Sequence, residues 1–150
     1  LLNDRRFRQA LSLAIDRNEI IEAQYCGTTE PAQLDPGLAS PFHDPALYHA
    51  FAEYDPARAN QLLDEIGLTR RDYEGYRTFR DGTRMTLFLD YCEMTSRQPA
   101  PFLVDDWAAV GVKANIVQME WNQYRVDGAK AGRGGRPDIV VGIKAGSGQR

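Results

Sequence analysis

Charge of one sign, cysteine, histidine and long apolar runs are all scarce in this sequence. Net charge is −3 with no block of like charges, so the basic footprint of a nucleic-acid surface is missing. No apolar stretch approaches the roughly 18 residues that a membrane-spanning helix needs. The opening "LLNDRRFRQAL" lacks the long apolar centre of a secretory leader. Two cysteines, Cys26 and Cys92, are too few for a disulfide framework; either they pair with each other or both stay free. No Gly-x-Gly-x-x-Gly follows a strand, and there is no phosphate loop, nucleophile elbow or well-spaced carboxylate pair. A doubly wound enzyme is therefore disfavoured. The two histidines, His43 and His49, lie far from the "DYCEMTSR" cluster, so metal binding and a catalytic pair with Cys92 are both disfavoured. What remains is 150 residues, 43% hydrophobic and 26% charged, enough for one real core.

Hydrophobic periodicity then divides the chain. Phe7, Ala10, Leu11, Ala14 and Ile15 recur at helical spacing from about residue 4. Asp16 with Glu19 has capping-box spacing and opens a second short helix to about Tyr25. From Cys26 to Tyr54 the pattern dissolves among four prolines, with one helical turn in "PALYHAF". Nearly thirty such residues are unusual inside a compact domain, so the stretch either wraps its own lobe or lies against a partner lobe. "YDPARANQLLDEIGL" is the clearest helix. Asp55 caps it, Pro56 takes the first position, Ala59, Leu62, Leu63 and Ile66 face inward, and Gly67 ends it.

From residue 85 strands alternate with helices. Met85 to Tyr91 follows an Asp-Gly turn and reads as a strand. A helix comes next, with Phe102, Leu103, Trp107 and Val110 inward; Trp107 on this stripe is assigned to the core. "VKANIVQM" is a second strand, "WNQYRVDGAKAG" a weak helix, "GRGGRP" a flexible connection, and "DIVVGI" a third strand buried on both faces. The fold class is α/β: a parallel βαβαβ unit over 85–150, with right-handed crossovers, added to a helical and loop part over 1–84. Three strands make a thin sheet. Its missing neighbours are expected from residues beyond this chain, or from self-association, so the chain is expected to be part of a longer one. "AIDRNE" and "DPARAN" read as ordinary solvated surface.

Ligands of open parallel sheets gather outside the carboxyl ends of the strands. That rule selects Asp90–Thr95, Glu120–Asn122 and Gly142–Ser147. Trp121 has two readings: an aromatic lining a solute site, or the first inward residue of its helix.

Three stretches together resemble a known family: "FRQALSLAIDRNEII", "YDPARANQLLDEIGL", and "VGVKANIVQMEWNQY" paired with "DIVV". Their order is similar to the C-terminal lobe of the peptide- and nickel-binding (family 5) extracytoplasmic solute-binding proteins of ABC importers, across essentially all 150 residues. The resemblance implies a single lobe of a class II periplasmic-binding-protein-like fold, with no catalysis and no cofactor. It implies a clamp, completed by an N-terminal lobe of the same polypeptide, that captures a peptide or other small solute outside the cytoplasmic membrane. The partners implied are that solute and the permease subunits; nucleic acid and a membrane span are not among them. The full-length protein would be periplasmic or extracellular, with a lipid anchor one possible form.

On this resemblance the ligand-binding residues are Trp121 and Asn122 after the second strand, Cys92, Glu93, Thr95 and Arg97 after the first, and Lys144 and Ser147 after the third. Three departures stand out. The family's second loop glycine is Thr29 in "GTTEPA", and the insert "AGRGGRP" is longer than the family's. Peptide binders of the family carry an aspartate in the last loop that holds the peptide ammonium; here that place falls near Ser147, and no Asp or Glu follows Asp138. A hydroxyl cannot replace an anionic anchor. The competing function is a ligand-sensing module of a transcriptional regulator or receptor that uses the same fold.

Overall fold

The computed structural model describes residues 1–34, 36–37, 40–92, 99–120 and 139–140. Helix α1 (Arg5–Leu13) starts where Asp4 accepts a hydrogen bond from the Arg6 N–H, and buries Phe7, Ala10, Leu11 and Leu13. Helix α2 (Arg17–Tyr25) starts at Asp16, whose carboxylate accepts from the Asn18 and Glu19 N–H groups. The reciprocal half of the capping box is replaced: the Asp16 N–H donates to Asp106 Oδ2 at 2.9 Å, ninety residues away. A tertiary carboxylate thus does the work that the local Glu19 was spaced to do.

The proline-rich stretch carries a short helix α3 (Pro45–His49), capped by Asp44. Hydrogen bonds tie its described residues to α1 and α2. Ser12 Oγ donates to Phe51 O at 2.8 Å and accepts from Gln33 Nε2 at 2.9 Å and Arg17 Nη2 at 2.8 Å. Left-handed backbone at its start falls on Cys26 and Gly27, so Thr29 stands where no glycine is needed. Cys26 stands as a free, exposed thiol.

Helix α4 (Pro56–Glu65) is capped by Asp55 with Pro56 in its first turn. The Asp55 N–H donates to Leu13 O at 2.8 Å, fastening the start of α4 to the end of α1. Ala59 and Leu63 are fully buried against α1, while Leu62 and Ile66 are partly covered.

A small antiparallel ribbon follows, β1 (Arg70–Arg71) with β2 (Arg77–Thr78), which hydrophobic periodicity does not reveal. Its turn is held by Asp72, which accepts from the Glu74 and Tyr76 N–H groups. Arg77 in β2 is 1% exposed. Its guanidinium donates to Val110 O (2.9 Å), Asp64 Oδ1 (2.5 Å), Asn60 Oδ1 (2.6 Å) and Leu68 O. A buried arginine is tolerable only when its donors are matched in this way. It rivets α4, the ribbon and the turn after the next helix into one unit.

The larger sheet is parallel: β3 (Thr86–Cys92) lies between β4 (Lys113–Met119) and β5 (Ile139–Val140). Helix α5 (Ala100–Ala109) makes the β3-to-β4 crossover. Trp107 on α5 is 3% exposed, and its indole N–H donates to Leu11 O at 3.0 Å, placing it in the core as expected. Gly111 then turns the chain with φ +81°, the left-handed region that favours glycine. The core joins both parts of the chain: Phe7, Leu13 and Leu63 share one cluster with Met85, Leu89, Trp107 and Val112. The "WNQY" helix and the strand beyond Val140 lie outside the described residues.

Candidate functional site

The sheet register decides where a site can form. Cys92 and Met119, the last residues of β3 and β4, are partners in register, and β5 pairs Val140 with Asp90 of the same central strand. All three strands run in one direction, so their carboxyl ends belong to one edge of the sheet. In an open α/β sheet that edge is where ligands collect, because the loops leaving it converge without a strand in the way. Helix α5 begins beside the same edge, and its N-cap, Pro99, makes no side-chain capping bond.

Of the residues selected by sequence, Cys92 is the last residue of β3 rather than a loop residue. Glu93, Thr95, Arg97, Trp121, Asn122, Lys144 and Ser147 lie outside the described residues. Among the described residues no group of three or more His, Cys, Asp or Glu is placed to hold a metal ion.

Two groupings were missed by the sequence reading. In "AIDRNE" and "DPARAN", read as solvated surface, Arg17 is half-buried and Asn60 accepts from both Arg71 and Arg77. Burial holds the Arg17 guanidinium below its ordinary pKa, with Glu53 pulling the other way. Arg17 lines a cleft of about 320 Å³ with Asn18, Glu30, Pro31, His49, Ala52, Glu53 and Tyr54. Nearby, burial pushes the Asp106 carboxyl up; the hydrogen bond from the Asp16 N–H lowers it, and the charges of Asp16, Glu19 and Asp105 raise it further. Tyr54 is raised by burial and by the charges of Asp106, Asp16 and Glu19. An arginine or asparagine on a helix's polar side gives no periodicity signal, so only the folded packing exposes these roles.

Fold and strand direction together define the class: one α/β unit of the periplasmic-binding-protein type. Comparison with known proteins narrows this. The family model for bacterial extracellular solute-binding proteins, family 5 Middle, matches residues 1–143, and the chain belongs to that family. The di/tripeptide-binding protein 1 of Pseudomonas aeruginosa is 30% identical over 89% of this chain and 22% of its own length. The dipeptide-binding protein of Escherichia coli is 35% identical over 82% of this chain and 21% of its own. A solved oligopeptide-binding protein, OppA, superposes with a TM-score of 0.69 at 41% identity, covering 87% of this chain and 20% of that one. The chain thus spans about a fifth of the length of these relatives.

Proposed function

We propose that these residues form one jaw of an extracytoplasmic solute-binding protein that hands its cargo to an ABC permease and performs no catalysis. The observation that carries the proposal is the common ending of β3 and β4 at Cys92 and Met119, which brings the carboxyl ends of two strands to one edge, in a chain of this family. Relatives named for dipeptides, di/tripeptides and oligopeptides make a peptide the first solute class to test. Contacts are assigned to Cys92, Glu93, Thr95 and Arg97 after β3, to Trp121 and Asn122 after β4, and to Lys144 and Ser147 after β5. Because residues 139–150 hold no carboxylate, grip on a free peptide ammonium by these residues is not part of the proposal. Affinity comes from closing a second lobe over the solute, as in hinge-closing binding proteins. The site of action is outside the cytoplasmic membrane; among the described residues no helix is long and apolar enough to cross one.

Calorimetry against di-, tri- and oligopeptides tests this. A polypeptide carrying both lobes is expected to bind at least one of them, and these 150 residues alone far more weakly. Equal affinity of the two, or turnover of any ligand, overturns it.

A further inference from the structure

The cleft beside α2 holds a guanidinium whose bonding is incomplete in a specific way. Arg17 Nη1 donates to Ser12 O at 2.8 Å and to Ala52 O at 3.4 Å, and Nη2 donates to Ser12 Oγ at 2.8 Å. Ser12 therefore occupies the outer end of the fork with two neutral oxygens. The remaining donors, Nε–H and the second Nη2–H, have no acceptor among the described residues. Among the described residues no carboxylate lies within ion-pair distance of this half-buried cation. A side-on Nε and Nη2 pair is the geometry that grips a carboxylate with two parallel hydrogen bonds.

The cleft's acidic side chains differ from one another. Glu53 is already engaged by Arg58 at 3.3 Å. Glu30 has no ion-pair or hydrogen-bond partner among the described residues, and it lines the same cleft without reaching Arg17. A cation with two open donors and an anion without a hydrogen-bond partner among the described residues thus share a space of about 320 Å³, within the ordinary range of a small-ligand site. The two charges do not bond each other, so the complementary guest for this cleft carries both signs.

We propose that this cleft binds a small α-amino-acid zwitterion, its carboxylate on the Arg17 fork and its ammonium towards Glu30. Asn18, His49 and Tyr54 supply further polar contacts around it. The site lies on the helical part of the chain, built from α2 and the proline-rich stretch. It is independent of the strand-end site and stands or falls separately from it.

Amide chemical-shift titration of the protein with L-alanine tests the proposal, with acetate and methylammonium as half-ligands. L-Alanine is expected to give saturable shifts at Arg17, Asn18 and Glu30, with acetate at least about tenfold weaker. Glu30→Gln, at an exposed position that leaves the fold intact, is expected to weaken L-alanine about tenfold and acetate little. Arg17→Lys keeps the charge but loses the fork, and is expected to abolish saturation by both. Absence of saturable shifts at these amides, equal affinity for acetate and L-alanine, or an unchanged response in Glu30→Gln overturns the assignment. Peptide binding at the strand ends is expected to be untouched by Glu30→Gln, which separates failure here from failure there.

Discussion

Gly111 shows how narrow the tolerance is at single positions. A Cβ there would meet the Arg71 guanidinium and sit 3.1 Å from Arg77 Cγ, on a backbone at φ +81°. Gly111→Ala is expected to destabilise the protein by about 2–4 kcal/mol in urea unfolding, joining left-handed strain to overpacking. Adding Arg71→Ala should relieve that contact but neither the Arg77 Cγ contact nor the backbone strain, so the double mutant cycle isolates the Arg71 share. Asp106 makes a different prediction. Its carboxyl is raised above 3.8 in the fold, so the folded state holds the proton more tightly than the unfolded chain. Its stabilising contribution is full below the unfolded value and is lost as pH rises through the folded one. Asp106→Asn keeps an acceptor for the Asp16 N–H and removes repulsion from Asp16, Glu19 and Asp105. Chemical unfolding at several pH values is expected to show a gain at pH 7 of under about 1 kcal/mol, shrinking towards pH 4. The carboxyls of Asp4 and Asp81 are lowered by their hydrogen bonds and act in the opposite sense, losing stabilisation as pH falls through their folded values.

At the scale of elements, the helices were legible and their fastenings were not. Asp16, Asp55, Pro56 and Gly67 punctuate α2 and α4 because capping and left-handed turns are local chemistry. β3 and β4 were legible within a residue or so because β-branched, aromatic and other apolar residues cluster in both. The ribbon of β1 and β2 was not: "RR" and "RT" carry no alternation, and a buried Arg77 contradicts every composition rule until its four partners are seen. The proline-rich stretch is decided in the same way. Ser12, one hydroxyl on the face of α1, collects Arg17, Gln33 and Phe51. Ser12→Ala is expected to cost about 1–2 kcal/mol. Hydrogen exchange should rise at Gln33 and at 48–52 while α5 and β3 keep their protection, because the loss is confined to that strap. Uniform loosening would contradict this assignment of the node.

Across the whole molecule the two tryptophans are expected to part company. Trp107 joins α5 to α1 through a buried ring and a hydrogen bond to Leu11 O, so Trp107→Ala should cost about 3–5 kcal/mol of stability. Trp121, two residues beyond the end of β4, is proposed to meet solute. Trp121→Ala in a two-lobed polypeptide should leave the unfolding midpoint nearly unchanged and weaken peptide binding. A large loss of stability instead would return Trp121 to the core.

The sequence alone marked the helices α1 to α5, the three strands β3, β4 and β5 and their parallel direction, and which family they resemble. These follow from periodicity, caps and motif order, all written locally along the chain. Only the tertiary structure decided that Asp106 completes the start of α2, that Arg77 is buried in the core, and that Arg17 faces a cleft with half its fork unfilled. Such roles depend on partners tens of residues away, and a polar side chain carries no mark of distant partners until the core has closed around it.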